Sequence, residues 1–154
     1  MSMNIRRVVT GHDANGKAIV LIDDKPSRIA NPREGLHSAL IWTTNTLPAK
    51  VNGNDDMGDV EIGTTIKKGS VFRVNKYEPG VIPRVHRTQS IDYAIVLSGE
   101  IDMELENGVE VKLKTGDFLV QRATVHNWVN RGTKPCLIAF ILISANGKQL
   151  QEFG

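Results

Sequence analysis

The chain is poor in cysteine, in aromatic residues and in long apolar runs, and each shortage excludes something. Cys136 is the single cysteine, so no disulfide can form within the chain. It lies in the apolar stretch Cys136 to Ile143, where a thiol serves as a small core residue. A reactive thiol needs an electropositive, partly exposed setting, and nothing in this stretch supplies one. The same stretch is the longest apolar run and falls far short of a membrane span. The N-terminal MSMNIRRVVTG lacks the apolar core of a secretory signal. These absences lead to the expectation of a cytoplasmic protein that does not bind membranes. Aromatic residues make up only 5% of the chain, so aliphatic side chains must fill most of the core. An excess of one charge is missing too. The 19 basic and 17 acidic residues leave a formal +2, with no basic stripe, which argues against a nucleic-acid partner.

What remains is ordinary globular composition. The chain has 154 residues, of which 40% are hydrophobic and 23% charged, enough for one good core in one domain spanning 1–154. Its pattern is one of short strands. Arg6 to Thr10 and Lys17 to Ile22 flank an Asp13-Ala14-Asn15-Gly16 turn, and Asn-Gly favours the positive φ angles of tight hairpins. His37 to Thr44 is a further strand. Asn45 to Asp59 is rich in Asn, Gly and Asp and reads as a long surface loop, a lid or an oligomer contact. From Ser70 onward the punctuation is regular. Ser70 to Tyr77 ends at Pro79-Gly80, Asp92 to Leu105 is broken at Gly99, and Asn107-Gly108 turns the chain into Val109 to Leu113. Thr115-Gly116 precedes Asp117 to Arg122, and His126 to Asn130 and Cys136 to Ile143 complete the set. No helical periodicity is sustained between Val71 and Ile143, so a sandwich or barrel is expected, which also removes the exposed edges of an open sheet.

Of four histidines, His86 and His126 stand in suggestive surroundings. His86 follows Gly80 after five residues, with Thr88 two residues on, Asp92 after that, and Gly99 after six more residues. His126 is followed after three residues by Asn130, with Gly116-Asp117 upstream. This arrangement resembles the two motifs of the cupin family. The first motif runs glycine, five residues, His, one residue, His, three or four residues, Glu, six residues, glycine; the second ends in His, three residues, Asn. Here Thr88 replaces the second His and Asp92 the Glu. Gln121-Arg122-Ala123-Thr124 occupies the place of the usual proline and glycine. The resemblance covers roughly Ser70 to Ile143. It implies an all-β fold, an antiparallel jelly-roll barrel of the double-stranded β-helix type. Residues 70–143 would form its core, and residues 1–69 would add N-terminal strands and a loop that complete the barrel or a dimer interface.

The resemblance also implies a site on the inner wall of the barrel. A full cupin site uses three His and one Glu. His86, Asp92 and His126 would leave a two-His, one-carboxylate set suited to one divalent transition metal, Fe, Mn, Zn or Ni, with open positions for substrate. The alternative is a pocket without metal, in which these three residues form a hydrogen-bonded network and His86 beside Asp92 acts as a general base. Thr88 is the difficulty for a metal, since a neutral hydroxyl is a poor substitute for imidazole, and Asp92 is one methylene shorter than Glu. Pairing through N-terminal strands is common in the family, so a homodimer exchanging Arg6 to Ile22 is expected.

Strand alternation nominates further pocket residues. Asp92, Ala94, Val96 and Ser98 share one face, and Tyr93, Ile95 and Leu97 the other. Leu119 and Gln121 share a face, which would bring Gln121 near His126, and Trp128 has the parity of His126. An inward face of Arg73, Asn75 and Tyr77 would suit a carboxylate, sulfate or enolate. The alternative leaves that face in solvent and puts Phe72 and Val74 in the core. Trp42 reads as core or interface, and His12 and His37 as residues outside the site. The functional expectation is a small-molecule cupin with catalytic His86 and Asp92 and a pocket that includes Arg73, Tyr77, Thr88, Gln121 and Trp128. Its chemistry would be that of an oxygenase, isomerase, dehydratase or decarboxylase. The alternatives are a binding or sensing barrel without turnover and a metal-free His/Asp acid–base isomerase.

Overall fold

Stretches rich in Val, Ile and Thr, cut by Gly, Asn and Pro, become antiparallel strands, because branched side chains pack well on a pleated surface and the breakers supply the turns. The structure is a computed structural model that describes residues 3–147. The strands are β1 (Arg7–His12), β2 (Ala18–Asp24), β3 (Ile29–Arg33), β4 (Leu36–Thr44), β5 (Ser70–Tyr77) and β6 (Ser90–Ser98), followed by β7 (Glu100–Glu104), β8 (Glu110–Lys114), β9 (Phe118–Arg122), β10 (Asn127–Val129) and β11 (Cys136–Ser144). Six strands form one sheet in the order β3-β4-β5-β11-β6-β9, three form a second in the order β10-β7-β8, and β1 pairs with β2.

The two larger sheets face each other across the core. Val71, Ala94, Val96, Ile138, Phe140 and Leu142 come from the first, and Ile101, Met103, Leu113 and Trp128 from the second. This is the antiparallel jelly roll expected from the sequence. Gly99 makes the corner where the chain leaves β6 for β7. Its φ is +83°, and a Cβ there would stand 2.6 Å from the Pro135 carbonyl oxygen, so the crossing needs glycine.

Two elements differ from the sequence expectation. β3 was not foreseen, because Pro32 interrupts its pattern. It survives because it is the edge strand of its sheet, where a missing N–H costs no ladder bond. The segment after β4 is longer than the loop expected at Asn45 to Asp59: no strand occurs before Ser70, and Val60, Ile62 and Ile66 turn inward to pack on the core. The segment therefore forms a strap against the barrel. Arg7 fastens its middle. The Arg7 side chain, 4% exposed, donates to both carboxylate oxygens of Asp56 at 2.8 and 2.7 Å, to Asp24 at 2.9 and 3.1 Å and to the Ile41 carbonyl at 3.2 Å.

Candidate functional site

The connection from β5 to β6 runs along the rim and is joined to the segment before β10 by one antiparallel bridge. His86 N–H donates to the His126 carbonyl at 3.0 Å, and His126 N–H to the His86 carbonyl at 2.9 Å. Two histidines forty residues apart thus meet, with ring centroids 4.5 Å apart. Each Nδ1 lies 2.8 Å from a carbonyl two residues upstream, that of Arg84 for His86 and of Thr124 for His126. A carbonyl only accepts, so each Nδ1 carries the hydrogen and each Nε2 is left with a free lone pair. Burial is the main cause that holds both rings neutral. It pushes His86 down to about 4, with smaller contributions from His126, Arg84 and Arg33, and it lowers His126 as well.

Asp92 lies on the inner face of β6 and is 4% exposed. Burial raises its carboxyl to about 6, against the pull of the neighbouring Ser90 and Thr88 hydroxyls and of the Arg73 charge. Ser90 Oγ is 2.5 Å from Asp92 Oδ1 and 2.8 Å from Thr88 Oγ1. A hydroxyl has one proton to give. With Asp92 ionised, Ser90 donates to it and accepts from Thr88. Thr88, in the place of a family histidine, therefore serves the carboxylate through Ser90. Ser90 was not singled out in the sequence, although its parity with Asp92 placed it on the same wall.

The inner face of β5 corrects the solvated alternative. Arg73, Asn75 and Tyr77 line the cavity, while Phe72 is 38% exposed on the outside. Val74 is buried on the outer face, because the N-terminal Met3 and Ile5 cover it. Arg73 holds the strap: its Nη2 donates to the carbonyls of Gly63 at 2.8 Å and Thr64 at 3.2 Å, and its Nε has no partner among the described residues. Asn75 Nδ2 donates to the Tyr77 hydroxyl at 3.2 Å, and burial pushes that phenol up to about 12. Trp128 forms the floor, with ring centroids 5.9 Å from Tyr77, 6.0 Å from His126 and 5.6 Å from Phe140.

The cavity opens to solvent at its mouth and brings together His86, Thr88, Asp92 and His126 with Arg73, Tyr77 and Trp128. Gln121 is buried and opposite Asp92 in the β6–β9 register, but its amide turns to Thr124 and it does not line the cavity. His37 lies 3.9 Å from Glu78, and neither it nor His12 lines the cavity. Asn130, the last residue of the second motif, is structural: its amide donates to the carbonyls of Tyr77 and Lys134 at 3.0 and 2.9 Å. Cys136 is fully buried, and burial raises its thiol to about 11. Arg33 and Arg84, which no motif marks, also reach the cavity.

The donor set answers the metal expectation only in part. The two imidazoles present free Nε2 atoms, as metal ligands do. Among the described residues, however, no three His, Cys, Asp or Glu side chains are grouped to hold a metal ion. Asp92, shorter than Glu, has its Oδ1 engaged by Ser90. The His86, Asp92 and His126 ligand set expected from the sequence is not assembled in this arrangement.

A jelly roll with a polar pocket between its sheets defines a barrel of the cupin class. The family model for the cupin domain matches residues 65–143, and the chain belongs to that family. It is 36% identical to a cupin-domain-containing oxidoreductase of Aspergillus ruber, over 96% of this chain and 78% of that one. It is 34% identical to a cupin-domain-containing oxidoreductase of Hypocrea virens, over 89% and 74%. Among solved structures, an RmlC-like cupin from Shewanella frigidimarina shares the fold, with a TM-score of 0.51 and 15% identity over 79% of this chain and 87% of that one.

The buried titratable groups set a pH dependence of stability. An unfolded histidine protonates near 6.5, whereas His86 folded does so near 4. Between these values the unfolded chain binds more protons, so stability is lost as the pH falls. His126 acts in the same direction. Asp92, at about 6 folded and 3.8 unfolded, opposes them over its own window. Asp23 and Asp56, held below the usual carboxylate value by hydrogen bonds from Arg6 and Arg7, also lose stability as they protonate, so the losses outweigh the single gain. The melting temperature is expected to fall from pH 6.5 to 4, and to fall more steeply in Asp92→Asn. A calorimetric series showing a rise across that window would contradict the burial assigned to the two imidazoles.

Proposed function

We propose that this cupin is an enzyme acting on a small organic molecule held in the barrel, and that the chain's own chemistry is proton transfer at Asp92. The observation that carries this is a carboxylate buried on the inner wall of the cavity, beside Arg73 and the Ser90 hydroxyl, where burial raises it to about 6. A carboxylate ordinarily titrates too low to be an effective base at neutral pH, and burial brings this one toward the operating range. In the proposed step, Asp92 takes a proton from a carbon next to a substrate carbonyl. The electron pair stays on the substrate as an enolate. The fixed charge of Arg73 and the Tyr77 hydroxyl at the cavity wall stabilise that developing charge. Thr88 and Ser90 hold the carboxylate in place.

The relatives are named cupin-domain-containing oxidoreductases, and an enolate is the form of a carbonyl substrate from which a two-electron acceptor supplied from solution would take electrons; the step proposed for this chain is the proton removal alone. A second reading, isomerisation, is favoured by the same geometry, since a proton returned to a neighbouring atom changes no oxidation state. Both share the first step, and that step can be measured without knowing the product. A panel of small carbonyl compounds, charged and neutral, is incubated with the protein in deuterated buffer, and deuterium uptake is followed by NMR. Protein-dependent exchange is expected for at least one of them, rising with pH through about 6. Exchange by Asp92→Asn equal to that of the wild type would contradict the assignment.

A further inference from the structure

Arg33 and Arg84 come to the cavity mouth from different parts of the chain, and the backbone fixes them there. Arg33 ends β3, and Arg84 lies in the connection between β5 and β6. The turn after β3 is stitched to that connection. Glu78 N–H donates to the Gly35 carbonyl at 2.8 Å, Ile82 N–H to that of Glu34 at 3.2 Å, and Arg33 Nε to that of Ile82 at 2.7 Å. Gly35 has φ +84°, and a Cβ there would lie 2.8 Å from Val81 Cα, so glycine permits the close approach. On the other side, Arg84 N–H donates to Asn127 Oδ1 at 2.9 Å.

Among the described residues, neither guanidinium has a carboxylate within ion-pair distance, nor does that of Arg73. The two rim arginines act on their neighbours instead. Arg33 is lowered first by burial and also by Arg84, and both arginines help to keep His86 neutral. Asp92 is the only carboxylate among the described residues lining the cavity, against three guanidinium groups, of which Arg73 acts on it. Two like charges are thus held at one mouth, Arg33 half-buried and Arg84 exposed, and an anion between them would relieve their repulsion.

We propose that Arg33 and Arg84 form a docking subsite for an organic carboxylate, so that the substrate is a small organic acid whose anionic end sits at the rim and whose reacting carbon points toward Asp92. Guanidinium groups suit a planar carboxylate through paired N–H···O bonds. The substrate assignment rests on the reading of the cavity as an active site, whereas the anion subsite can be tested without it.

The test is calorimetric titration at low salt with malonate, with neutral malonamide and with inorganic phosphate. Malonate is expected to bind wild type at least about tenfold more tightly than malonamide, as charge-assisted bonds of this kind imply. The double variant Arg33→Gln/Arg84→Gln is expected to lose about 10- to 100-fold in malonate affinity. Arg33→Gln also removes the bond to the Ile82 carbonyl, so the fold of the double variant is checked by its melting temperature, and Arg84→Gln carries the same test without that loss. Arg84 is exposed, so Arg84→Gln alone gives a partial loss in a variant that retains the Arg33 stitch. Lys50→Gln, on the exposed strap, serves as the control and should bind as wild type does. Equal binding of malonate and malonamide, or undiminished affinity in the double variant, would overturn the subsite. Phosphate binding more tightly than malonate would overturn its assignment to a carboxylate. Asp92→Asn should bind malonate at least as tightly as wild type, since a negative charge is removed. Anion binding that depends on the arginines, together with undiminished proton exchange in Asp92→Asn, would uphold the subsite while the proposed reaction fails.

Discussion

Asp92→Asn is expected to melt above the wild type at pH 8 while its proton-exchange activity falls by about 10²- to 10⁴-fold, the usual contribution of a positioned acid–base group. The two effects have one cause. Asp92 is 4% exposed, and burial moves its carboxyl from 3.8 to about 6, so at pH 8 the folded protein carries an ionised group that the interior disfavours. Removing the charge at constant shape should stabilise the fold by roughly 1–3 kcal/mol, following the free energy of a pKa shift of this size. The asparagine oxygen can still accept from Ser90, and Gln121, across the ladder, has a buried Oε1 without a partner. A gain in stability with a loss of activity is the mark of a residue kept for function rather than for folding. Calorimetry and deuterium exchange on the same preparation check both halves. A variant that is destabilised as well as inactive would mean that the Thr88–Ser90–Asp92 chain is a structural network.

The second large effect is expected at Trp128. Its ring is 3% exposed and contacts Tyr77, His126 and Phe140, so it is at once the floor of the cavity and part of the core. Trp128→Ala removes a large side chain from between the two sheets and should cost about 3–5 kcal/mol. In a chain of this length that is a fall in melting temperature of roughly 6–20 °C. Trp128→Phe keeps most of the packing and should cost much less. Denaturant unfolding of the two variants compares them directly. Similar losses in both would point to the indole N–H rather than to ring volume.

The sequence made the barrel legible because its turns are written in residues with few conformational choices. Asn107 and Gly108 both take positive φ, at 57° and 75°, as an Asn-Gly hairpin requires, and Gly99 marks the corner between sheets. The alternation put Asp92 on one face with Ala94 and Val96, against Tyr93 and Leu97, and that face is the buried one. The motif spacings led to His86, Thr88, Asp92 and His126, and all four line one cavity. What the sequence hid depends on contacts between distant segments. Phe72 and Val74 look like core residues, yet the inner face of β5 is the polar one, because Met3 and Ile5 cover Val74 from outside. Pro32 concealed an edge strand. Arg33 and Arg84 lie in stretches without periodicity, and only the stitching of the turn at Gly35 to the segment around Val81 makes them neighbours of the site. Whether Asp92 could reach a shared metal with two histidines was likewise undecidable from spacing, since it depends on which hydroxyls compete for its oxygens.

The most direct test of the account is the titration of Asp92 itself. Protein labelled with carbon-13 at the aspartate side-chain carboxyl is followed by NMR from pH 3 to 9, and the Asp92 resonance is assigned by its absence in Asp92→Asn. A midpoint near 6 is predicted. A midpoint at or below the ordinary carboxylate value of about 4 would show that Asp92 is not tuned for proton transfer at neutral pH, and the proposed chemistry would fall with it.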